Sequence, residues 1–224
     1  MNRYLHAALI TFYYVVTLVA LAVLLYVGRT YYPLPIEERF FHPMYDLLKP
    51  SGYLGHGFGI TGTLLIVIGL FSYMARKHLR VFWGWGLLKH WLELHIFLCT
   101  LGTALVVFHT TFKFGGLISI GFLSLMIVWL SGFVGRVLYI QIPRSIEGRI
   151  LTMQEVEEKI ENLEASHRDV RSLRRLKKQV RQLEQMKRLF NRWHYFHLPF
   201  ALIMLIIMVI HVTVVLYLGY KWIF

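Results

Sequence analysis

The sequence contains a single cysteine, Cys99, among its 224 residues. One cysteine cannot form an intrachain disulfide or a CxxC metal pair, and the absence of CxxCH excludes covalent attachment of a c-type haem to this chain. Charged residues are also scarce, at 16% against 57% hydrophobic residues. A soluble domain needs a charged surface, so this composition predicts an integral membrane protein.

Acidic residues are half as frequent as basic ones. The 12 Asp and Glu stand against 24 Lys and Arg, which gives a formal net charge of +12. In a soluble protein this excess would suggest binding to nucleic acid. In a membrane protein the positive-inside rule explains it, because basic residues accumulate in cytoplasmic loops. We therefore expect the lipid bilayer, and no nucleic acid, as a partner.

Five apolar runs are long enough to cross a bilayer, which takes about 20 residues. They cover residues 5–27, 53–74, 92–112, 117–139 and 196–220. The predicted fold class is an all-α integral membrane bundle of five transmembrane helices. The first run is expected to be a retained helix, because the apolar core of a signal peptide is only about 7–15 residues long.

The segment between the fourth and fifth runs differs in kind from the rest of the chain. Its first half, 151–166, is rich in glutamate, and its second half, 167–193, is strongly basic. Apolar residues recur at helical spacing in both halves, which predicts a cytoplasmic helical hairpin, with one long helix as the alternative. The predicted divisions are 1–140 for helices one to four with an outer loop at 28–57, 141–195 for the hairpin, and 196–224 for helix five.

Two of the apolar runs carry a histidine near each end. His95 and His109 are fourteen residues apart with no charged residue between them, and His197 and His211 repeat the spacing. Fourteen helical residues rise about 21 Å and turn by only about 40°, so each pair shares one helix face at two depths. Neutral imidazoles are axial ligands of haem iron. The pattern predicts two b-type haems, an inner one on His95 and His197 and an outer one on His109 and His211.

Four further residues are expected at these cofactors. Gly102 and Met204 lie midway between the histidines of their helices, where glycine leaves room for a porphyrin edge and methionine fills space. Haem propionates are anionic, so Arg136 near the inner pair and Lys113 near the outer pair are candidate partners. A site for a divalent metal is disfavoured, because no Asp or Glu is expected to accompany the pairs within the membrane.

Other interpretations of the histidines stay open. Intramembrane histidines can relay protons, which would make the chain part of a proton or ion pathway or a transporter subunit. Alternatively, the chain is a structural membrane anchor whose hairpin is the docking part. The remaining histidines, among them His6, His56 and His90, are expected to be polar surface or interface residues, and His56 lies at the level of the outer pair.

The pairs His95/His109 and His197/His211, on parallel helices separated by one crossing, resemble those of membrane di-haem cytochromes b. The resemblance extends to the cytochrome b subunits of quinol:cytochrome c reductases and to ferric reductase-like transmembrane families, and it covers about 90–215. The Pro-Glu-Trp-Tyr motif of large cytochrome b subunits is absent. No GxGxxG follows a predicted strand, and we expect the flavin and nicotinamide chemistry to lie on another chain.

This resemblance implies a transmembrane electron-transfer subunit of a respiratory complex in the bacterial inner membrane. It implies quinone or quinol as one redox partner, with a quinone site beside either haem. A c-type cytochrome, an iron–sulfur protein or a flavoprotein would be the other partner. The chain would then be a non-catalytic or quinone-reactive subunit of an oxidoreductase. The basic loops predict a cytoplasmic N-terminus and an outer C-terminus.

Overall fold

The computed structural model describes residues 3–82, 84–141, 158, 161 and 170–219. No β-strand occurs among these residues, so the predicted all-α class is confirmed. The helices are α1 (Arg3–Val27), α2 (Tyr45–Leu48), α3 (Tyr53–His78), α4 (Leu88–His109), α5 (Gly116–Gln141) and α6 (Val170–Gly219), with 3-10 turns at Glu38–Phe41 and Arg80–Phe82.

Five helical segments among the described residues are long and apolar enough to cross a membrane. They are Tyr4–Val27, Tyr45–His78, Leu88–His109, Gly116–Tyr139 and Val180–Leu218. Many of their large apolar side chains are exposed, for example Leu18, Leu64 and Ile206. Large apolar surfaces are costly in water but suit a hydrocarbon environment. The chain is therefore a multi-pass membrane protein in a lipid bilayer.

The chain divides into two compact units, Met1–Ile120 and Gly121–Phe224. In the first unit, α3 packs along α4, and α1 contacts α4 through the stacked rings of Tyr13 and Phe97, whose centroids are 4.4 Å apart. In the second unit, α5 packs against α6, because Gly121 leaves space for the Ile207 side chain.

The observed bounds of α4 differ from the predicted run 92–112 at both ends. The helix begins at Leu88, four residues before the predicted run. A search for apolar runs leaves this first turn out, because it contains polar residues. It ends at His109, since Thr111 and Phe112 adopt φ angles of 49° and 58°. Positive φ angles cannot continue a right-handed helix, so the chain turns away there.

The basic half of the predicted hairpin is continuous with the fifth span. Helix α6 runs unbroken from Val170 to Gly219, and Pro199 lies inside it. No helix end therefore separates 195 from 196. The acidic half lies outside the described residues, apart from Glu158 and Glu161, so the hairpin itself stays a prediction.

The segment that follows α1 is held by a buried arginine. Arg39 is 5% exposed, and its guanidinium donates to the carbonyl oxygens of Leu34, Tyr32 and Thr111. Burial raises the pKa of Tyr32 to about 12. The neutral Tyr32 hydroxyl donates to the carbonyl oxygen of Phe108 over 3.3 Å. The side chains of Arg39 and Tyr32 thus connect this segment to the end of α4 by hydrogen bonds.

We expect Arg39→Lys to loosen the segment 28–52. Lysine keeps the charge but lacks the planar guanidinium group, whose three nitrogens reach three carbonyl oxygens. Each buried carbonyl left without a donor costs about 1–3 kcal/mol of stability. Amide hydrogen exchange in the segment should accelerate relative to the native chain. Arg29→Lys is the matched control, because Arg29 is exposed in the same segment. Equal exchange in both variants would contradict the role assigned to Arg39.

Candidate functional site

Helices α3 and α4 pack antiparallel in one constant register. His95 Nδ1 lies 3.0 Å from the Gly69 carbonyl oxygen, and His109 Nδ1 lies 2.8 Å from the Gly55 carbonyl oxygen. Midway between them, a Cβ added at Gly102 would lie 2.6 Å from the carbonyl oxygen of Gly62. Three positions of α3 at seven-residue spacing therefore face three positions of α4 at the same spacing. Small residues allow this close approach of two membrane helices.

These contacts determine the tautomer of both histidines of α4. A carbonyl oxygen can only accept a hydrogen bond, so His95 and His109 must each donate from Nδ1. The lone pair of the neutral imidazole is then on Nε2, the nitrogen farther from the backbone. Gly59 contributes to the position of the His109 ring, since a Cβ there would lie 2.8 Å from ring atoms.

His197 also has a hydrogen-bond partner at Nδ1, and this partner is a hydroxyl group. Its Nδ1 lies 2.7 Å from Ser131 Oγ, and the same hydroxyl donates to the Val128 carbonyl oxygen over 2.9 Å. A hydroxyl has a single hydrogen, so Ser131 accepts from His197 Nδ1 when it donates to Val128. The Trp193 ring lies against the imidazole, with centroids 4.5 Å apart. In that arrangement the lone pair of His197 is on Nε2, as in the two histidines of α4.

The structure places the other predicted site residues as follows. His211 is half-buried on α6, and Met204, midway between His197 and His211, is 7% exposed. Arg136 is half-buried on α5, and Lys113 is exposed in the turn after α4. Gly102 contacts α3, so it has a packing role; that it also leaves room for a cofactor stays a prediction.

The predicted ligands belong to both compact units. His95 and His109 lie in the first unit, and His197 and His211 lie in the second. Both helices are continuous between their two histidines, so the histidines of one helix are separated by about 21 Å along its axis. The pairing of one helix with the other across a haem stays a prediction.

Sequence reasoning missed a cluster of titratable side chains at the start of α4. Glu93 is almost fully buried, with 2% of its side chain exposed, and its Oε2 lies 3.2 Å from His90 Nδ1 and 3.6 Å from His6 Nδ1. Lys89 Nζ lies 2.8 Å from His6 Nε2 and 3.8 Å from Glu93 Oε1. The donor atoms of His6, His90 and Glu93 all lie within 4.8 Å of one another, so these side chains could hold a metal ion.

Two signals in the sequence could have revealed this cluster. Between Asp46 and Glu147 the chain contains only one acidic residue, Glu93. Lys89 and His90 precede it by four and three residues, which places all three on one helix face. The expectation that no acidic residue accompanies the histidines of this helix was therefore wrong for α4, where Glu93 lies within a candidate span. The contribution of His6 could not be read from spacing, because α1 is distant in sequence.

Comparison of the chain with protein-family models, with curated proteins and with solved structures finds no match.

Proposed function

We propose that this chain is a transmembrane electron-transfer subunit that holds two b-type haems. His95 and His197 would ligate the inner haem, and His109 and His211 would ligate the outer one. The bis-histidyl spacing that resembles membrane di-haem cytochromes b motivates this proposal. The hydrogen bonds of the predicted ligands are the structural observation that supports it best.

That observation is the hydrogen bond at Nδ1 of three of the four histidines. His95 and His109 each donate from Nδ1 to a carbonyl oxygen of a neighbouring helix, and His197 Nδ1 lies 2.7 Å from the Ser131 hydroxyl of another. Histidines that bind metals usually donate their other ring N–H to such an acceptor, which orients the ring and raises its basicity. Two bis-imidazole haems require four ligands, and three of the four proposed ligands have such a partner.

Each side chain has a separate task in this proposal. Gly55 and Gly69 supply carbonyl acceptors that orient the imidazoles of α4, and Ser131 does the same for His197. A haem held by two of these imidazoles would transfer single electrons and would offer no open position for a substrate. Arg136 and Lys113 are proposed to neutralise propionates.

The electrons are proposed to pass between quinone and a partner redox subunit. A c-type cytochrome, an iron–sulfur protein or a flavoprotein would be a suitable partner, since each exchanges single electrons with haem. The distribution of basic loops favours the bacterial inner membrane with a cytoplasmic N-terminus and an outer C-terminus. Two redox centres separated by about 21 Å along the helix axes would span much of a hydrocarbon core about 30 Å thick.

A visible spectrum of the purified full-length chain tests the proposal directly. We expect a Soret band and, after dithionite reduction, the α and β bands of a low-spin b-type haem, because two imidazoles would hold each iron. Pyridine haemochrome quantitation should give two haems per chain.

The alternatives predict different spectra. A histidine-based proton or ion pathway, or a structural anchor, predicts no Soret band from a chain expressed with sufficient haem. A stoichiometry of one haem per chain would remove one of the two proposed pairs. A high-spin spectrum that changes on adding carbon monoxide would contradict ligation by two imidazoles.

A further inference from the structure

We propose that His6, His90 and Glu93 form a binding site for a divalent transition metal ion, with zinc as the representative cation. These three residues are called the α1–α4 cluster below. The site is separate from the proposed haem ligands and connects the start of α1 to the start of α4.

Two of the three separations between the ligand atoms match those of a tetrahedral ion, and the third, between the two imidazoles, is within 4.8 Å. With ligand bonds of about 2.0–2.1 Å, tetrahedral zinc places neighbouring donor atoms roughly 3.3 Å apart. Glu93 Oε2 lies 3.2 Å from His90 Nδ1 and 3.6 Å from His6 Nδ1, which bracket that value. Two imidazoles and one carboxylate are a ligand set that zinc uses together with a fourth, exchangeable water.

The burial of the Glu93 carboxylate favours the binding of a cation at the cluster. The Glu93 side chain is 2% exposed, and a buried carboxylate is expensive unless positive charge compensates it. Lys89 Nζ is 3.8 Å from Glu93 Oε1, which is beyond hydrogen-bond length, and its shorter contact is with His6 Nε2. A metal ion at Oε2 would compensate the carboxylate more directly.

Lys89 acts as a competitor in this proposal. An ammonium group can only donate, so its 2.8 Å contact requires the lone pair of His6 on Nε2 and the proton on Nδ1. Binding of a metal at His6 Nδ1 requires the opposite tautomer, and Lys89 must then move away. His90 must change tautomer as well, because its Nδ1 donates to Glu93 Oε2 in the absence of an ion. Its side chain is 29% exposed, which gives it room to do so. Removal of the ammonium group should therefore strengthen metal binding.

Zinc titration of the full-length chain in detergent, in competition with a chromophoric chelator, tests the site. We expect one zinc ion per chain in addition to iron. Glu93→Gln and His90→Ala should weaken binding at least about tenfold, since loss of even an outer partner of a metal site costs about 10–100-fold. Lys89→Met should tighten binding, and His78→Ala, at the exposed end of α3, is the matched control and should leave it unchanged.

Two outcomes would overturn the proposal. One is equal zinc affinity in the native, Glu93→Gln and His90→Ala chains. The other is weaker binding in Lys89→Met, because it would show that the lysine supports the site.

X-ray absorption at the zinc edge of the native chain does not depend on whether variants fold. It should show two imidazoles in the first coordination sphere, and their absence would also contradict the site. The titration is read as zinc bound, so it stands apart from haem content and from the proposed function.

Discussion

Replacing His109 with asparagine is expected to lower the haem content of the purified chain to about half, with loss of the outer haem only. Asparagine can still donate a hydrogen bond from a position close to that of Nδ1, so the contact with the Gly55 carbonyl can persist. Its side chain has no group that replaces Nε2 as a ligand. The variant therefore separates ligation from packing, which alanine would not do.

The matched control is His56→Asn. His56 is half-buried in α3, next to Gly55, and is the other histidine expected near the outer pair. It should leave the haem content unchanged, as measured by pyridine haemochrome and by the reduced-minus-oxidised spectrum. If His56→Asn lost a haem and His109→Asn kept both, the outer ligand would be wrongly assigned. Loss of both haems in His109→Asn would contradict two independent pairs.

Gly62→Leu is expected to lower the thermal stability of the chain and to reduce the content of both haems. A Cβ at Gly62 would lie 2.8 Å from the Gly102 carbonyl oxygen and 2.9 Å from Val106 Cγ2, so α3 and α4 must separate. Overpacking of this kind typically costs about 1–3 kcal/mol. Separation of α3 from α4 would also lengthen the hydrogen bonds from His95 and His109 to the carbonyl oxygens of α3, which orient the two rings.

Gly57→Leu is the control on the same helix. A Cβ at Gly57 would meet nothing within 4 Å, so leucine should be accommodated there. Leucine has a better helix propensity than glycine by about 0.8–1.0 kcal/mol, which makes the control neutral or stabilising. Thermal aggregation in detergent, followed by size-exclusion chromatography, measures the difference. Equal midpoints for the two variants would contradict a tight contact at Gly62.

The number and type of the elements could be predicted from the sequence because they depend on local composition. A run of about 20 apolar residues predicts a membrane helix whatever surrounds it. The ends of α4 could not be predicted in the same way. Its C-terminal end depends on positive φ angles at Thr111 and Phe112, beside the carbonyl that Arg39 binds. Arg39 lies 72 residues from Thr111, so no local pattern contains this interaction.

The spacing of the histidines could also be read from the sequence, since helical geometry alone places His95 and His109 on one face. Their tautomer could not, because it depends on which carbonyl of α3 lies opposite each ring. Three glycines of α3 and the seven-residue spacing in both helices allow that register, but only packing selects it over neighbouring registers.

By itself, the amino-acid sequence determined an all-α membrane protein with five spans, and two helices that carry paired histidines. Apolar length and helical period are properties of a single segment, so they need no knowledge of its neighbours. The tertiary structure decided which polar groups meet: the ring nitrogens of His95 and His109 with glycine carbonyls, and Glu93 with His6 and His90. A buried polar group takes its partner from whichever helix packs against it, and that choice is made by the fold.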